Sequence, residues 1–136
     1  MKLQSSYPVL MVDNPIRSAA FYTEHFGFEE TFAVDWYVSL RHSQNPASEL
    51  AFVKADHETI PASHRATARG ILVNLEVEDA AGEYERLVGE GGMKAMLELK
   101  DEAFGQRHFI VADPAGNLVD VIENIPPSGE FIAAYS

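Results

Sequence analysis

One supersecondary pattern occurs twice in this chain, and the repeat limits the possible folds more than any other feature. The segment VLMVDNPIRSAAFYTEHFGFE, residues 9–29, corresponds to LVNLEVEDAAGEYERLVGEGG, residues 72–92. Each begins with an apolar strand that ends in Asp, continues with a helix that contains Tyr, and then reaches Gly. Three strand-like runs follow each helix. Two copies of a βαβββ unit therefore predict a duplicated architecture.

Local signals place the boundaries of these units. Asn14 is a good helix N-cap and is followed by Pro15 at the first helical position, while Asp79 can cap the second helix. The strand-like runs are EETFAVD, WYVSLRH and ELAFVKA in the first half, and MKAMLEL, QRHFIVAD and NLVDVIE in the second half. We predict unit one over residues 5–55, a linker over 56–69, unit two over 70–124 and a C-terminal tail over 125–136.

The predicted fold class is α+β. A helix on one face of each four-stranded sheet leaves the opposite faces to form a concave mixed sheet with a pocket between the two units. The 136 residues suffice for one such domain. Pairing of the two units within one chain and exchange between two chains are both compatible with the sequence.

Composition excludes several classes of function. The chain has 10 Lys plus Arg against 21 Asp plus Glu, a formal charge of −11, so its surface repels nucleic acid and anionic membranes. It contains no cysteine, which removes disulfides and cysteine-based zinc sites. No apolar run is long enough for a membrane helix, and no signal peptide is recognisable at the N-terminus. These features predict a cytoplasmic protein that attracts cationic ligands.

The last strand, NLVDVIE, contains a carboxylate in an otherwise apolar run. Asp120 shares one face with Leu118 and Ile122, whereas Val119 and Val121 share the face that suits the helix-packed core. We therefore predict that Asp120 lines the pocket rather than a dry core. The same face is predicted for Glu49, Asn74, Glu76 and His108.

The histidines allow several roles. By alternation with Phe109, His108 faces the predicted pocket, where it can contact a ligand or act as a general acid or base. His42 ends a predicted strand, and a rearranged metal site built from these histidines is a minor alternative. His25 lies on the first helix, and His57 and His64 lie in the linker, so these three are predicted to face solvent.

The sequence resembles the vicinal oxygen chelate superfamily, which includes glyoxalases, extradiol dioxygenases and bleomycin-resistance proteins. The resemblance extends over nearly the whole chain to about Asn124. It is carried by MVDNPIRSAAFYTEHFGFE in the first unit, and by LEVEDAAGEYERLVGEG and FGQRHFIVADPAGNLVDVIE in the second.

The resemblance bears directly on metal binding. Metal enzymes of the superfamily hold a divalent ion with one residue from each of four strands, typically two histidines and two carboxylates. Glu49 and Asp120 match the carboxylate positions, but the histidine positions fall on Ser6 and Leu72. Serine is a poor ligand for such an ion and leucine is none. We therefore predict no cofactor and no catalytic metal, with Glu49 and Asp120 as weak metal candidates only.

The resemblance is strongest to the drug-binding group, which sequesters antibiotics without altering them. That group lacks the metal histidines, tends to be acidic and often has an aromatic residue before GQR, where this chain has Phe104. With Trp36 and Tyr37, Phe104 is predicted to supply the aromatic part of the pocket. We predict a non-catalytic homodimer that binds an aromatic or cationic antibiotic or metabolite.

Three alternatives stay open at this point. The first is a metal-dependent lyase, isomerase or dioxygenase that uses Glu49 and Asp120 with an unusual partner such as His108. The second is a metal-free acid/base enzyme that uses His108 with Asp120. In the third, Glu49 and Asp120 are remnants of an ancestral metal site, now hydrated or paired with Arg41 or Arg107.

Overall fold

Each half of the chain folds into a four-stranded sheet with a helix, as a computed structural model that describes residues 1–135 shows. The first unit is Met1–Arg69 and the second begins at Gly70. Both have the order βαβββ. The predicted α+β class and the duplication are therefore confirmed.

The first unit is a mixed sheet whose first and last strands are neighbours. Its elements are β1 Val9–Val12, α1 Pro15–His25, β2 Phe28–Val34, β3 Tyr37–His42 and β4 Glu49–Lys54. The strand order is β1-β4-β3-β2, with β1 parallel to β4 and the other pairs antiparallel.

The helix of the first unit begins where its sequence predicts. Asn14 accepts a hydrogen bond from the backbone N–H of Arg17 at 3.1 Å, which satisfies one free donor of the first turn. Tyr22 is fully buried, and its ring centroid lies 5.9 Å from that of Phe28 and 5.4 Å from that of Phe52. These rings attach the helix to one face of the sheet.

The second unit repeats this topology, with strand order β5-β8-β7-β6 and β5 parallel to β8. The helix packs on the face that carries Phe109, Val119 and Val121, all at most 1% exposed. Tyr84 of the helix contacts Phe109 edge to face at 5.2 Å. The elements are β5 Leu72–Glu76, α2 Ala80–Tyr84 with a π-helical continuation Glu85–Glu90, β6 Leu97–Glu102, β7 Gln106–Ala112 and β8 Leu118–Asn124.

Strand β6 lies later in the chain than the predicted run MKAMLEL, residues 93–99. Its pairing with β7 shifts register between Leu97 and Lys100, and then continues until Glu102 faces Gln106. The irregularity interrupts the simple alternation that sequence patterns detect. It brings Glu102 into the sheet.

Two irregular segments pack on their own units. Residues 56–69, the predicted linker, contain a short 3₁₀ turn, and the N–H of Ala68 bonds to the carbonyl of Met11 at 2.7 Å. In the tail, the N–H of Ser128 bonds to the carbonyl of Ala103 at 2.9 Å, and the ring of Phe131 lies 6.1 Å from that of Phe104.

Position 136, the end of the predicted tail, lies outside the described residues. Across residues 1–135, no helix is long and apolar enough to cross a membrane.

Candidate functional site

Asp120 lies on the face of its sheet opposite the helix, and its side chain is buried. Only 7% of its surface is exposed, and 6% of that of His108. Asp120 is thus largely shielded from water, and its role in ligand binding stays a prediction. Its Oδ1 atom lies 2.8 Å from Nδ1 of His108, and Nε2 of the same ring lies 2.9 Å from Oε2 of Glu102.

The strand register explains how these three side chains meet. On β7 and β8, His108 faces Ile122 and Ile110 faces Asp120, so His108 and Asp120 are diagonal neighbours on one face. Glu102 reaches the same ring from the end of β6. Lys100, which faces His108 across β6 and β7, brings its Nζ within 3.3 Å of Oε1 of Glu102.

The two carboxylates favour the charged form of His108. Burial by itself lowers the pKa of His108, but the hydrogen bonds with Glu102 and Asp120 outweigh it, so the pKa lies above its ordinary value. The hydrogen bond with His108 is also the main reason why the pKa of Glu102 is lowered. Both ring nitrogens of His108 lie within hydrogen-bond distance of a carboxylate oxygen, so the ring is already engaged at each position through which it could bind a metal or accept a proton.

The residues present do not fit the metal site of the metal-dependent relatives. Leu72 begins β5 and offers no ligand atom, and Ser6 precedes β1. His108 is committed to Asp120 and Glu102, as described. Within the part of the chain that the structure describes, no group of three His, Asp or Glu side chains is arranged to hold a metal ion.

The two arginines suggested as partners of the pocket carboxylates have other partners. Nε of Arg41 lies 2.9 Å from Oε1 of Glu29, although Arg41 faces Glu49 in the β3–β4 register. Nε of Arg107 lies 2.7 Å from Oδ1 of Asp101. Asp120 pairs with His108, so the alternative in which it pairs with an arginine is wrong.

An open cavity of about 380 Å³ lies in the first unit, where the β2–β3 turn meets the chain that leaves β4. The backbone N–H of Lys54 bonds to the carbonyl of Trp36 at 2.9 Å, which holds the two segments side by side. Three carboxylates and one ammonium group line the cavity beside two rings. The lining residues are Asp35, Trp36, Lys54, Asp56, His57 and Glu58.

Inside this cavity His57 stacks on Trp36. The two ring centroids are 3.7 Å apart and the planes differ by 5°. The backbone N–H of Thr59 donates to Nδ1 of His57 at 3.2 Å, and Oγ1 of Thr59 lies 2.9 Å from the same atom. The prediction that His57 faces solvent from a linker is wrong, because the ring is half-buried against Trp36.

Tyr37 extends the aromatic surface of this cavity along the sheet. Its ring contacts Trp36 edge to face at 5.8 Å and lies 6.2 Å from Phe32 on the neighbouring strand. Burial raises the pKa of Tyr37, so its hydroxyl stays protonated at neutral pH. Tyr37 is thus a neutral aromatic neighbour of Trp36.

The predicted site residues are divided between the two units. Trp36 and Tyr37 lie together in the first unit. In the second unit Asn74 faces Asp120 across the parallel β5–β8 pair, and the ring of Phe104 lies 6.4 Å from that of His108. Two predicted site residues remain. Glu49 is half-buried at the start of β4 in the first unit, and Glu76 of the second unit accepts a hydrogen bond from Asn124 at 3.2 Å.

Sequence reasoning missed Glu102, His57 and the cavity carboxylates. For Glu102 the available signal was the hairpin turn at residues 103–105, which places the last residues of β6 opposite the first residues of β7. For His57 no pattern in the sequence identifies Trp36 as its neighbour. The contact depends on the turn that follows β4.

Comparison with known proteins gives one family and many similar structures. Residues 4–121 match the family described as the Glyoxalase/Bleomycin resistance protein/Dioxygenase superfamily. Among curated proteins, none matches the sequence.

Three solved structures illustrate the similarity. A lactoylglutathione lyase from Agrobacterium tumefaciens is 20% identical, covers 90% of this chain and 96% of its own, and has a TM-score of 0.69. A glyoxalase/bleomycin resistance protein/dioxygenase from Nocardioides is 17% identical over 96% of this chain and 89% of its own, with a TM-score of 0.72. TioX from Micromonospora sp. ML1 is 17% identical over 90% of this chain and 100% of its own, with a TM-score of 0.67. At such identities the similarity shows the fold alone.

Proposed function

We propose that this chain, which belongs to the glyoxalase/bleomycin resistance protein/dioxygenase superfamily, binds a small aromatic cation and holds it without changing it chemically. The observation that carries the proposal is the cavity of the first unit, where Trp36 lies among the carboxylates of Asp35, Asp56 and Glu58. We place the ligand there. An antibiotic or a metabolite of this chemistry is the expected natural ligand.

The physical basis is the attraction of a cation to both an aromatic face and negative charge. A cation over a tryptophan ring gains about 0.5–1 kcal/mol at an exposed site and about 2 kcal/mol when water is excluded. Three carboxylates against one ammonium group make the cavity negative. The formal charge of −11 adds a long-range attraction that raises the local concentration of cations.

The second unit supports binding over catalysis. His108, the residue best suited to acid/base chemistry, is buried and engaged by carboxylates at both nitrogens. Leu72 stands where the metal enzymes of the superfamily have a histidine. Both features support a sequestering role over metal-dependent chemistry.

The test is a binding measurement on the purified full chain. Trp36 is the single tryptophan, so its fluorescence reports the proposed site directly. We expect saturable binding of planar cations such as N-methylquinolinium, measured by fluorescence and calorimetry, and recovery of the compound unchanged by mass spectrometry. A panel of planar cations without any saturable binder would contradict the proposal, as would chemical conversion of the bound compound.

Matched variants locate the site. Asp56→Asn with Glu58→Gln is expected to weaken binding of the cation, whereas Glu90→Gln, an exposed carboxylate of the second unit, is expected to leave it unchanged. Trp36→Ala is expected to weaken binding in calorimetry about two- to thirtyfold. Equal affinities in all of these proteins would place the ligand elsewhere.

A further inference from the structure

The ring of His57 lies where a flat ligand would stack on Trp36. We propose that His57 is an internal occupant of this site, and that the ligand is a planar, positively charged nitrogen heterocycle whose ring displaces it. This inference rests on the proposed function and extends it by naming the ligand class and the residue with which the ligand competes.

The geometry of the stack points to displacement. In the part of the chain that the structure describes, Trp36 has two ring contacts. Tyr37 meets it edge to face at 66°, whereas His57 lies flat on it at 3.7 Å and 5°. A flat nitrogen ring therefore already occupies an aromatic face inside the cavity. A second flat ring can take that face only if His57 leaves.

His57 is held in a way that permits it to leave. The turn around it is formed by the backbone, with the N–H of His57 bonded to the carbonyl of Lys54 at 2.9 Å and the N–H of Ile60 bonded to the carbonyl of His57 at 3.0 Å. The side chain is hydrogen-bonded to Thr59. Rotation of the side chain thus breaks the stack and the contacts with Thr59, while the backbone bonds of the turn remain.

The charges around the stack define which ring replaces it. Nδ1 of His57 accepts from the N–H of Thr59, which fits an uncharged imidazole with its proton on Nε2. The uncharged ring leaves Asp35, Asp56 and Glu58 balanced by Lys54 alone. A heterocycle with a fixed positive charge stacks equally well and compensates one more carboxylate. The site therefore favours a cationic ring over the histidine that now occupies it.

The experiment compares wild-type protein with His57→Ala, using N-methylquinolinium and its uncharged parent quinoline as probes. Removing the competing ring is expected to tighten binding of both probes about two- to tenfold, the range that corresponds to one aromatic pair. The cation is expected to bind more tightly than quinoline in both proteins. His64→Ala, an exposed histidine of the same segment, is the control and is expected to change neither affinity.

The outcomes separate this inference from the proposed function. Binding that is weakened in Trp36→Ala, and that in His57→Ala is equal to or weaker than in wild type, overturns the displacement and leaves the proposed function standing. Stronger binding of quinoline than of N-methylquinolinium overturns the assigned ligand class. Absence of saturable binding in both wild type and His57→Ala overturns the inference and the proposed function together. Circular dichroism of each variant establishes that the fold is retained.

Discussion

Removal of one partner from the His108–Asp120 pair is expected to cost much of the stability of the second unit. The two side chains are only 8% and 10% exposed, so water does not rehydrate the charge that is left behind. Breaking a buried ion pair in this way costs about 3–5 kcal/mol. We therefore expect His108→Ala and Asp120→Ala each to lower the free energy of unfolding by about that amount.

The double variant makes the argument quantitative. Once His108 is gone, removing Asp120 also removes the unpaired charge, so the two losses do not add. We expect the double variant to be more stable than the sum of the single losses predicts, by about 1–3 kcal/mol. The assay is urea unfolding followed by far-UV circular dichroism, with the free energy extrapolated to water.

A neighbouring ion pair supplies the control. Arg107 precedes His108 and pairs with Asp101 at 2.7 Å, but both side chains are more than a third exposed. Arg107→Ala is expected to change stability far less than His108→Ala, because water replaces an exposed partner. Either of two results would refute the claim that a buried charge pair stabilises this sheet. One is a double variant whose loss of stability equals the sum of the two single losses. The other is a loss of stability in Arg107→Ala as large as that in His108→Ala.

Further predictions concern protonation, the core and the tail. Because the folded-state pKa of His108 is raised, its stabilisation is present in full below the ordinary imidazole pKa of about 6.5 and is lost as pH rises through the folded-state value. The stability difference between wild type and His108→Ala should therefore shrink as the pH rises above about 6.5, and a difference that stays constant with pH would contradict a raised pKa of His108. Phe52 is fully buried against Tyr22, so Phe52→Ala should lower the free energy of unfolding in urea by about 3–5 kcal/mol. A decrease of less than about 1 kcal/mol would show that the ring does not fill the core. Gly105→Ala should loosen the tail, because Gly105 has φ +111° and an added Cβ would lie 3.0 Å from the carbonyl oxygen of Ile125. The measurement is amide hydrogen exchange at Ser128, whose N–H bonds to the carbonyl of Ala103. Faster exchange would support the prediction, and unchanged exchange would argue against it.

The repeated units were predictable from the sequence because their signals are local. Asn14 and Asp79 cap their helices through hydrogen bonds to residues three positions ahead, and such bonds depend on neighbouring residues alone. The alternation around Asp120 likewise identified the two faces of the last strand, since side chains in a strand alternate. The alternation does not show how deeply Asp120 is buried on its face.

The site was less predictable because its contacts depend on register and turn conformation. Glu102 reaches His108 only through the shifted pairing of β6, and no alternating pattern marks such a shift. His57 reaches Trp36 through a turn after β4, where the chain has no periodicity. Residue type alone indicated an acidic and aromatic ligand site, but the particular partners required the folded chain.

The parallel pairing of the first and last strands in each unit has a consequence for synthesis on the ribosome. Val9 pairs with Ala51 and Leu72 with Leu118, so the opening strand of each unit has no partner in its sheet until the closing strand has been made. Closing such long intervals is slow compared with forming the local hairpins between them. During elongation the first sheet can close once β4 has emerged, while β8 is still to be translated. The duplicated architecture thus allows the nascent chain to fold in two successive steps, each completed by its own final strand.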